Sequence, residues 1–87
     1  MAIVIINPQF GGSETGKIKN DFIEKNFNLD ISKIIYNKLK DLGIDTFLVR
    51  NNDTTINLQE RLNIINNLIK SNEKNILIST GVSTGGQ

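Results

Sequence analysis

Few side chains in this chain are equipped for chemistry. Its 87 residues include no histidine and no cysteine. That removes imidazole bases, thiol nucleophiles, thiolate metal sites and disulfides together. What remains is a scatter of carboxylates and guanidiniums, among them Glu24, Arg50, Asp53 and Arg61, and one glycine-rich segment, Gly11-Gly12-Ser13-Glu14-Thr15-Gly16-Lys17. The segment has the G-x-x-x-x-G-K spacing of a phosphate-binding loop. Such a loop needs Ser or Thr after the lysine to hold magnesium, and a helix whose first amides face the phosphates. Ile18 stands after Lys17, and a polar stretch follows with no helical periodicity. The segment therefore reads as a loop and not as a nucleotide site. Taken alone, Glu24 reads as a solvated carboxylate in a first helical turn, favoured there by the macrodipole. Arg50, Asp53 and Arg61 read as structural, with Arg61 placed to meet Asp53 or Glu60 in a bidentate pair.

The elements that must position these groups follow from the apolar pattern. Residues 2–6 are apolar throughout, as in a strand covered on both faces. Pro8, Gly11, Gly12 and Gly16 then mark a loop reaching to about Phe22. Leu29, Ile34, Ile35, Leu39 and Leu42 recur at helical spacing, and Gly43 suits the left-handed position that ends a helix. Residues 44–49 read as a second strand and residues 50–56 as a polar connection. Asn57 stands three residues before Glu60, the spacing of a capping box. Leu58, Leu62, Ile65, Leu68 and Ile69 form the stripe of a second helix. Residues 76–79 read as a third strand, followed by a loop-like tail over 80–87. Strand, loop, helix, strand, helix, strand predicts an α/β fold with a small, mostly parallel sheet and right-handed crossovers. Both helical stripes are expected in the core.

The chain has the length of one small domain, residues 1–87, with a thin stability margin. Ten basic residues against nine acidic ones leave a net charge of +1, too little field to attract nucleic acid or an acidic membrane surface. The apolar start has no basic residues before it and stops at Asn7-Pro8, so it reads neither as a signal peptide nor as a membrane span. Localisation does not follow from this pattern.

The order of motifs resembles the first half of the zinc-dependent N-acetylmuramoyl-L-alanine amidases. That family opens with a strand and a turn of the type Asp-Pro-Gly-His-Gly-Gly, where this chain has Asn7-Pro8-Gln9-Phe10-Gly11-Gly12. A loop like Ser-Asp-x-Gly is matched by Ser13-Glu14-Thr15-Gly16, and Glu-Lys-x-x-Asn-Leu by Glu24-Lys25-Asn26-Phe27-Asn28-Leu29. Val49-Arg50-Asn51-Asn52-Asp53 stands for Thr-Arg-x-x-Asp, Leu58-Gln59-Glu60-Arg61 for Leu-x-x-Arg, and Asn66 for an Asn near the helix end. Ile78-Ser79-Thr80-Gly81-Val82-Ser83 takes the place of Ile-Ser-x-His-Ala-Asn. The turn at Asn7 also resembles the Asn-Pro-x-x-Gly-Gly start of diacylglycerol-type lipid kinases, and Gly81 to Gly86 faintly their glycine-rich loop, but the helix and the Arg50-to-Asp53 segment between them fit that family less well.

In the amidase family two histidines and a glutamate hold a catalytic zinc, which polarises the amide and activates a water. The resemblance maps the first histidine to Phe10 and the second to Gly81, and retains only Glu24. It thus implies no metal, no cofactor and no catalytic residue in this chain. The expected function is a catalytically degenerate amidase-like domain, a structural or interaction module in a cell-wall, spore or phage-related assembly. The alternative is the N-terminal part of a peptidoglycan-hydrolysing amidase whose remaining catalytic groups lie outside this chain. Phe10 is expected to pack into the space of the missing metal, with an exposed contact for a partner as the alternative. A sheet with only two helices leaves apolar surface uncovered, so a protein partner or self-association is expected there, with residual peptidoglycan contact left open.

Overall fold

The computed structural model describes residues 2–81. Its elements are β1 (Ala2–Pro8), β2 (Ile18–Lys19), β3 (Phe22–Ile23), α1 (Glu24–Asp41), β4 (Thr46–Leu48), α2 (Leu58–Ser71) and β5 (Lys74–Thr80). β1 is the central strand of a three-stranded sheet ordered β4-β1-β5. Both pairings are parallel: Ile5 lies opposite Phe47 on one side and Leu77 on the other. This is the α/β class that the alternation of strand and helix predicts. β2 and β3 form a separate two-residue antiparallel hairpin inside the expected loop, with Ile18 opposite Ile23.

Side chains of β1 alternate between two helices. Ile5 is fully buried and clusters with Val49 and Ile65, with Ile3, Ile64 and Leu68 packed around them. This face belongs to α2. Ile6, equally buried, points to the opposite face, where α1 crosses β1, β4 and β5. The two helices therefore cover opposite sides of β1. Each buried aliphatic side chain contributes about 1.5–3 kcal/mol relative to exposure, so this small cluster supplies a large part of a thin margin.

The helix ends follow local rules of different kinds. Asn57 accepts from Glu60 N at 2.8 Å while the Glu60 side chain accepts from Asn57 N at 3.5 Å, the capping box read from the spacing. Gly43 takes φ 79° directly after the α1 C-cap and donates to Lys40 O. At the start of α1 no side chain caps the helix. Instead Glu24 N donates to Lys17 O and Lys25 N to Thr15 O, so the loop backbone just before β2 satisfies amides that a helix start leaves open.

The helical stripes are less buried than their periodicity predicts. Ile34 and Leu42 are 66 % exposed, and Leu58, Leu62 and Ile69 are exposed as well. The buried residues of α1 are Glu24, Asn28, Leu29 and Ser32, three of them polar. Two helices on a three-stranded sheet do not supply enough opposing surface to enclose both stripes. The third strand is longer than residues 76–79, and the second is shorter than residues 44–49. The tail expected beyond Gly81 lies outside the described residues. Among the described residues, no helix is long and apolar enough to cross a membrane.

Candidate functional site

The carboxyl ends of β1, β4 and β5 lie together, because the strands are parallel, and the loops leaving β1 and β4 turn to opposite faces. In open α/β sheets this end is where sites form. Here it is filled by two arginines. Arg50, 1 % exposed, directs Nη1 to Asn52 O (2.8 Å) and Nη2 to Lys25 O (3.0 Å) and Gln9 O (3.3 Å). Arg61, 7 % exposed, gives Nη1 to Asn7 Oδ1 (2.6 Å) and Pro8 O (2.8 Å), Nη2 to Phe10 O (2.8 Å) and Nε to Ile56 O (3.0 Å). Arg61 thus ties the end of β1 to the start of α2 through carbonyl oxygens. The expected pairing of Arg61 with Asp53 or Glu60 does not form. Burial lowers the pKa of both guanidiniums, Arg50 further through the charge of Arg61. Carbonyl dipoles surround both cations without a carboxylate, while Arg50 Nε is buried with no hydrogen-bond partner among the described residues.

Asp53 pairs instead with Lys25, Nζ to Oδ2 at 2.8 Å. Gly12 N donates to Asp53 Oδ1 at 2.8 Å, and Lys25 Nζ also donates to Gly12 O at 2.9 Å. Ser13 N donates to Thr55 Oγ1 at 2.9 Å. The glycine-rich loop is thereby fastened to the loop after β4. Gly11 has no room for a side chain, since a Cβ there would collide with Thr54 O. No helix begins at Lys17, whose amide donates to Glu24 Oε1 at 3.0 Å. The loop therefore lacks the amide cradle that phosphate binding needs.

The three positions singled out by the family resemblance fall at this same end. Glu24 is buried in the first turn of α1, at 4 % exposure, and not solvated as its sequence context suggests. Its carboxylate and the Phe10 ring edge both border Gly16: a Cβ there would lie 2.8 Å from Glu24 Oε1 and 2.7 Å from Phe10 Cδ2. Phe10 is half-buried and holds φ 65°, a region in which non-glycine residues are uncommon. Gly81 follows β5, and a Cβ on it would lie 2.6 Å from Gln9 Oε1. Val82 and Ser83, which complete that motif, lie outside the described residues.

Sequence reasoning missed the polar stripe that joins these positions. Glu24, Asn28 and Ser32 follow one another at helical spacing and are all buried. Asn28 Nδ2 donates to Gln9 O (3.2 Å), Thr80 Oγ1 donates to Asn28 O (3.2 Å), and the hydroxyls of Ser32 and Thr80 share a 2.7 Å hydrogen bond. Asn28 Oδ1 is buried with no hydrogen-bond partner among the described residues. The signal was present as a period of four in polar residues, where a search for apolar periodicity does not look.

As a donor set for a zinc ion these positions do not fit. Zinc sites take three or four nitrogen, sulfur or carboxylate ligands. Phe10 and Gly81 have no donor side chain, and among the described residues no group of three or more His, Cys, Asp or Glu converges.

A parallel α/β sheet with its polar residues gathered at the strand ends defines the architecture, and sequence comparison makes the family specific. The profile of the N-acetylmuramoyl-L-alanine amidase family matches residues 4–80. The chain belongs to that family. It is 43 % identical over 60 residues to N-acetylmuramoyl-L-alanine amidase LytC of Bacillus subtilis (strain 168), covering 69 % of this chain and 12 % of that protein. Over 63 residues it is 40 % identical to the amidase AmiA of Escherichia coli (strain K12), covering 71 % of this chain and 22 % of that protein. The catalytic domain of CwlV, an amidase from Bacillus (Paenibacillus) polymyxa var. colistinus, superposes with a TM-score of 0.85 at 26 % identity, over 100 % of this chain and 48 % of that one. This chain therefore spans about half of that solved domain and a smaller share of the curated relatives.

Proposed function

We propose that this chain is a catalytically degenerate amidase-like domain, serving as a structural or interaction module in a cell-wall, spore or phage-related assembly. One observation carries the reading: Phe10 and Gly81 stand where the resemblance places the two zinc-binding imidazoles. The surroundings support it. The Glu24 carboxylate accepts the Lys17 amide, and the Gln9 side chain lies beside Gly81 where a ligand at 81 would project. A single carboxylate so engaged does not retain zinc against water. Residual contact with peptidoglycan is compatible with this role.

Calorimetric titration with zinc tests the reading. The expected result is no binding tighter than about 1 mM, the weakness of a lone carboxylate. Micromolar binding would overturn it. The variant Phe10→His with Gly81→His is expected to gain zinc affinity once the exposed Gln9 swings aside, since histidine tolerates a positive φ better than phenylalanine. A folded double variant that gains nothing would remove the basis for placing the imidazoles at 10 and 81.

A second reading is favoured by the share of the relatives that the chain spans. In it, these residues are the N-terminal part of a peptidoglycan-hydrolysing amidase whose other catalytic groups lie outside this chain. Cleavage of muramoyl-peptide by a longer natural protein containing this segment would support that reading.

A further inference from the structure

We propose that the Gln9–Phe10 peptide is a two-state latch, able to turn over in place and exchange an N–H for a carbonyl on the α2 side of the β1 end. Three successive carbonyls leave β1 there. Pro8 O and Phe10 O face α2, where Arg61 holds each at 2.8 Å. Gln9 O faces the other way, towards α1, where Asn28 Nδ2 (3.2 Å) and Arg50 Nη2 (3.3 Å) share it. Both bonds are at or past the long end of the usual range. The peptide is trans, so its N–H lies opposite its carbonyl, on the α2 side. Among the described residues that N–H meets no acceptor. The orientation also holds Phe10 at φ 65°, which is costly for a residue with a Cβ. Strain of this kind persists only while neighbouring groups enforce it.

The turned-over state has partners in place. A half-turn of the peptide plane changes only ψ of Gln9 and φ of Phe10, and it carries Phe10 into the negative range that any residue adopts. The flanking groups stay pinned: Gln9 N on Thr80 O, Gly11 N on Glu14 O, and Pro8 O and Phe10 O on Arg61. On the α1 side the Phe10 N–H then meets Asn28, whose side-chain amide carries an acceptor as well as a donor. Asn28 Oδ1 is buried and uncommitted among the described residues. A half-turn of that amide therefore gives up only the bond that the peptide has already left. On the α2 side Gln9 O turns towards Arg61. Of the five guanidinium N–H groups, one on Nε, two on Nη1 and one on Nη2 are engaged, and the fifth is available. Arg50 Nη2 keeps Lys25 O at 3.0 Å. Two bonds are exchanged for two, and the strain at Phe10 is released. The α2 side of this end opens into a cavity of about 300 Å³ lined in part by Gln9, Phe10, Glu14 and Arg61. The latch sets whether its wall offers a donor or an acceptor.

The latch does not depend on whether zinc binds, so the two readings fail separately. Nitrogen-15 relaxation dispersion on the 87-residue chain tests it. The expected result is microsecond-to-millisecond exchange at the Phe10 and Gly11 amides and the Asn28 side-chain amide, with a minor state of roughly 0.1–10 %. Phe10→Gly removes the cost of a positive φ and is expected to abolish that exchange, with parent-like shifts elsewhere. Asn28→Asp leaves acceptors only when ionised. It repels Gln9 O and accepts the Phe10 N–H, so the turned-over state should become the major one, read as a downfield shift of the Phe10 amide proton. If that variant does not fold, the comparison of Phe10→Gly with the parent decides alone. Flat dispersion profiles in the parent overturn the latch, as does exchange that survives Phe10→Gly undiminished. A folded Asn28→Asp variant with the parent's Phe10 shift overturns it as well.

Discussion

The two faces of β1 are covered in opposite ways. Beneath α2 the interior is hydrocarbon: Ile5, Val49 and Ile65, with Ile3, Ile64 and Leu68 around them. Beneath α1, and across the strand ends, the buried groups are Glu24, Asn28, Ser32, Arg50 and Arg61 beside Ile6 and Leu29. The first face is held by area removed from water, and many apolar residues of similar volume would serve it. The second is held by directed hydrogen bonds to named carbonyls, where few substitutions preserve the arrangement. The difference teaches that one strand can be held on its two sides by different physics, non-directional on one and directional on the other. The strand-end polar frame is built by the arginines and the Glu24, Asn28 and Ser32 stripe, with Phe10 and Gly81 beside it.

The largest test of this contrast is Arg61→Ala. It strands Pro8 O, Phe10 O, Ile56 O and Asn7 Oδ1 at once, each served by a charged donor, and is expected to cost about 4–5 kcal/mol. Small domains hold only about 5 kcal/mol at the low end of the usual range, so urea denaturation should show a chain that begins to unfold with little or no denaturant. Arg61→Met keeps the apolar stem and removes the donors. Parent-like stability in that variant would break the contrast, because packing alone would then suffice at the strand ends.

On the aliphatic face, Ile65→Ala is expected to cost about 2–4 kcal/mol through lost transfer energy and a cavity. Ile65→Leu should recover most of it, with a residual cost under about 1.5 kcal/mol. Equal midpoints in urea for the alanine and leucine variants would mean that the cluster is not the stabilising core.

The smallest effect belongs to Asp53. Hydrogen bonds from Lys25 and from the Gly12 amide hold its carboxyl pKa below the ordinary carboxylate value. A carboxyl with a depressed folded pKa stabilises the fold above its unfolded pKa, near about 4, and that contribution disappears as pH falls through the folded value. Asp53 is exposed, so the contribution is small and screened by salt. Thermal melts from pH 6 down to pH 2 should fall slightly less steeply for Asp53→Asn than for the parent. Identical slopes would show that the Lys25 contact does no more than decorate the loop.

Much of the fold was legible because it is written in local signals. The all-apolar run at residues 2–6, the Asn57 and Glu60 spacing, and Gly43 after the α1 stripe each act through their neighbours in sequence, and each feature appears where it was read. The family, too, was legible, since its motifs occur in order along nearly the whole chain. What escaped depends on contacts between distant segments. Nothing near Arg61 in sequence announces that its donors will reach Pro8 and Phe10, or that Lys25, more than twenty residues before Asp53, is the partner that carboxylate finds. The burial of Glu24, Asn28 and Ser32 was hidden for a related reason. Amphipathic reasoning assigns polar residues to water, and it fails where a polar face is turned inward onto strand ends.

One consequence follows from the way α1 begins. Its opening amides are closed by the carbonyls of Thr15 and Lys17 and not by a side chain, so replacing Ile23 removes no cap. Control over where this helix starts is delegated upstream, to Gly16. With φ 68° and no room for a Cβ between Phe10 and Glu24, that residue is what allows the two carbonyls to point inward. A neutral drift of surface residues along α1 would leave its origin fixed, whereas a single methyl group at position 16 would unseat it from a distance.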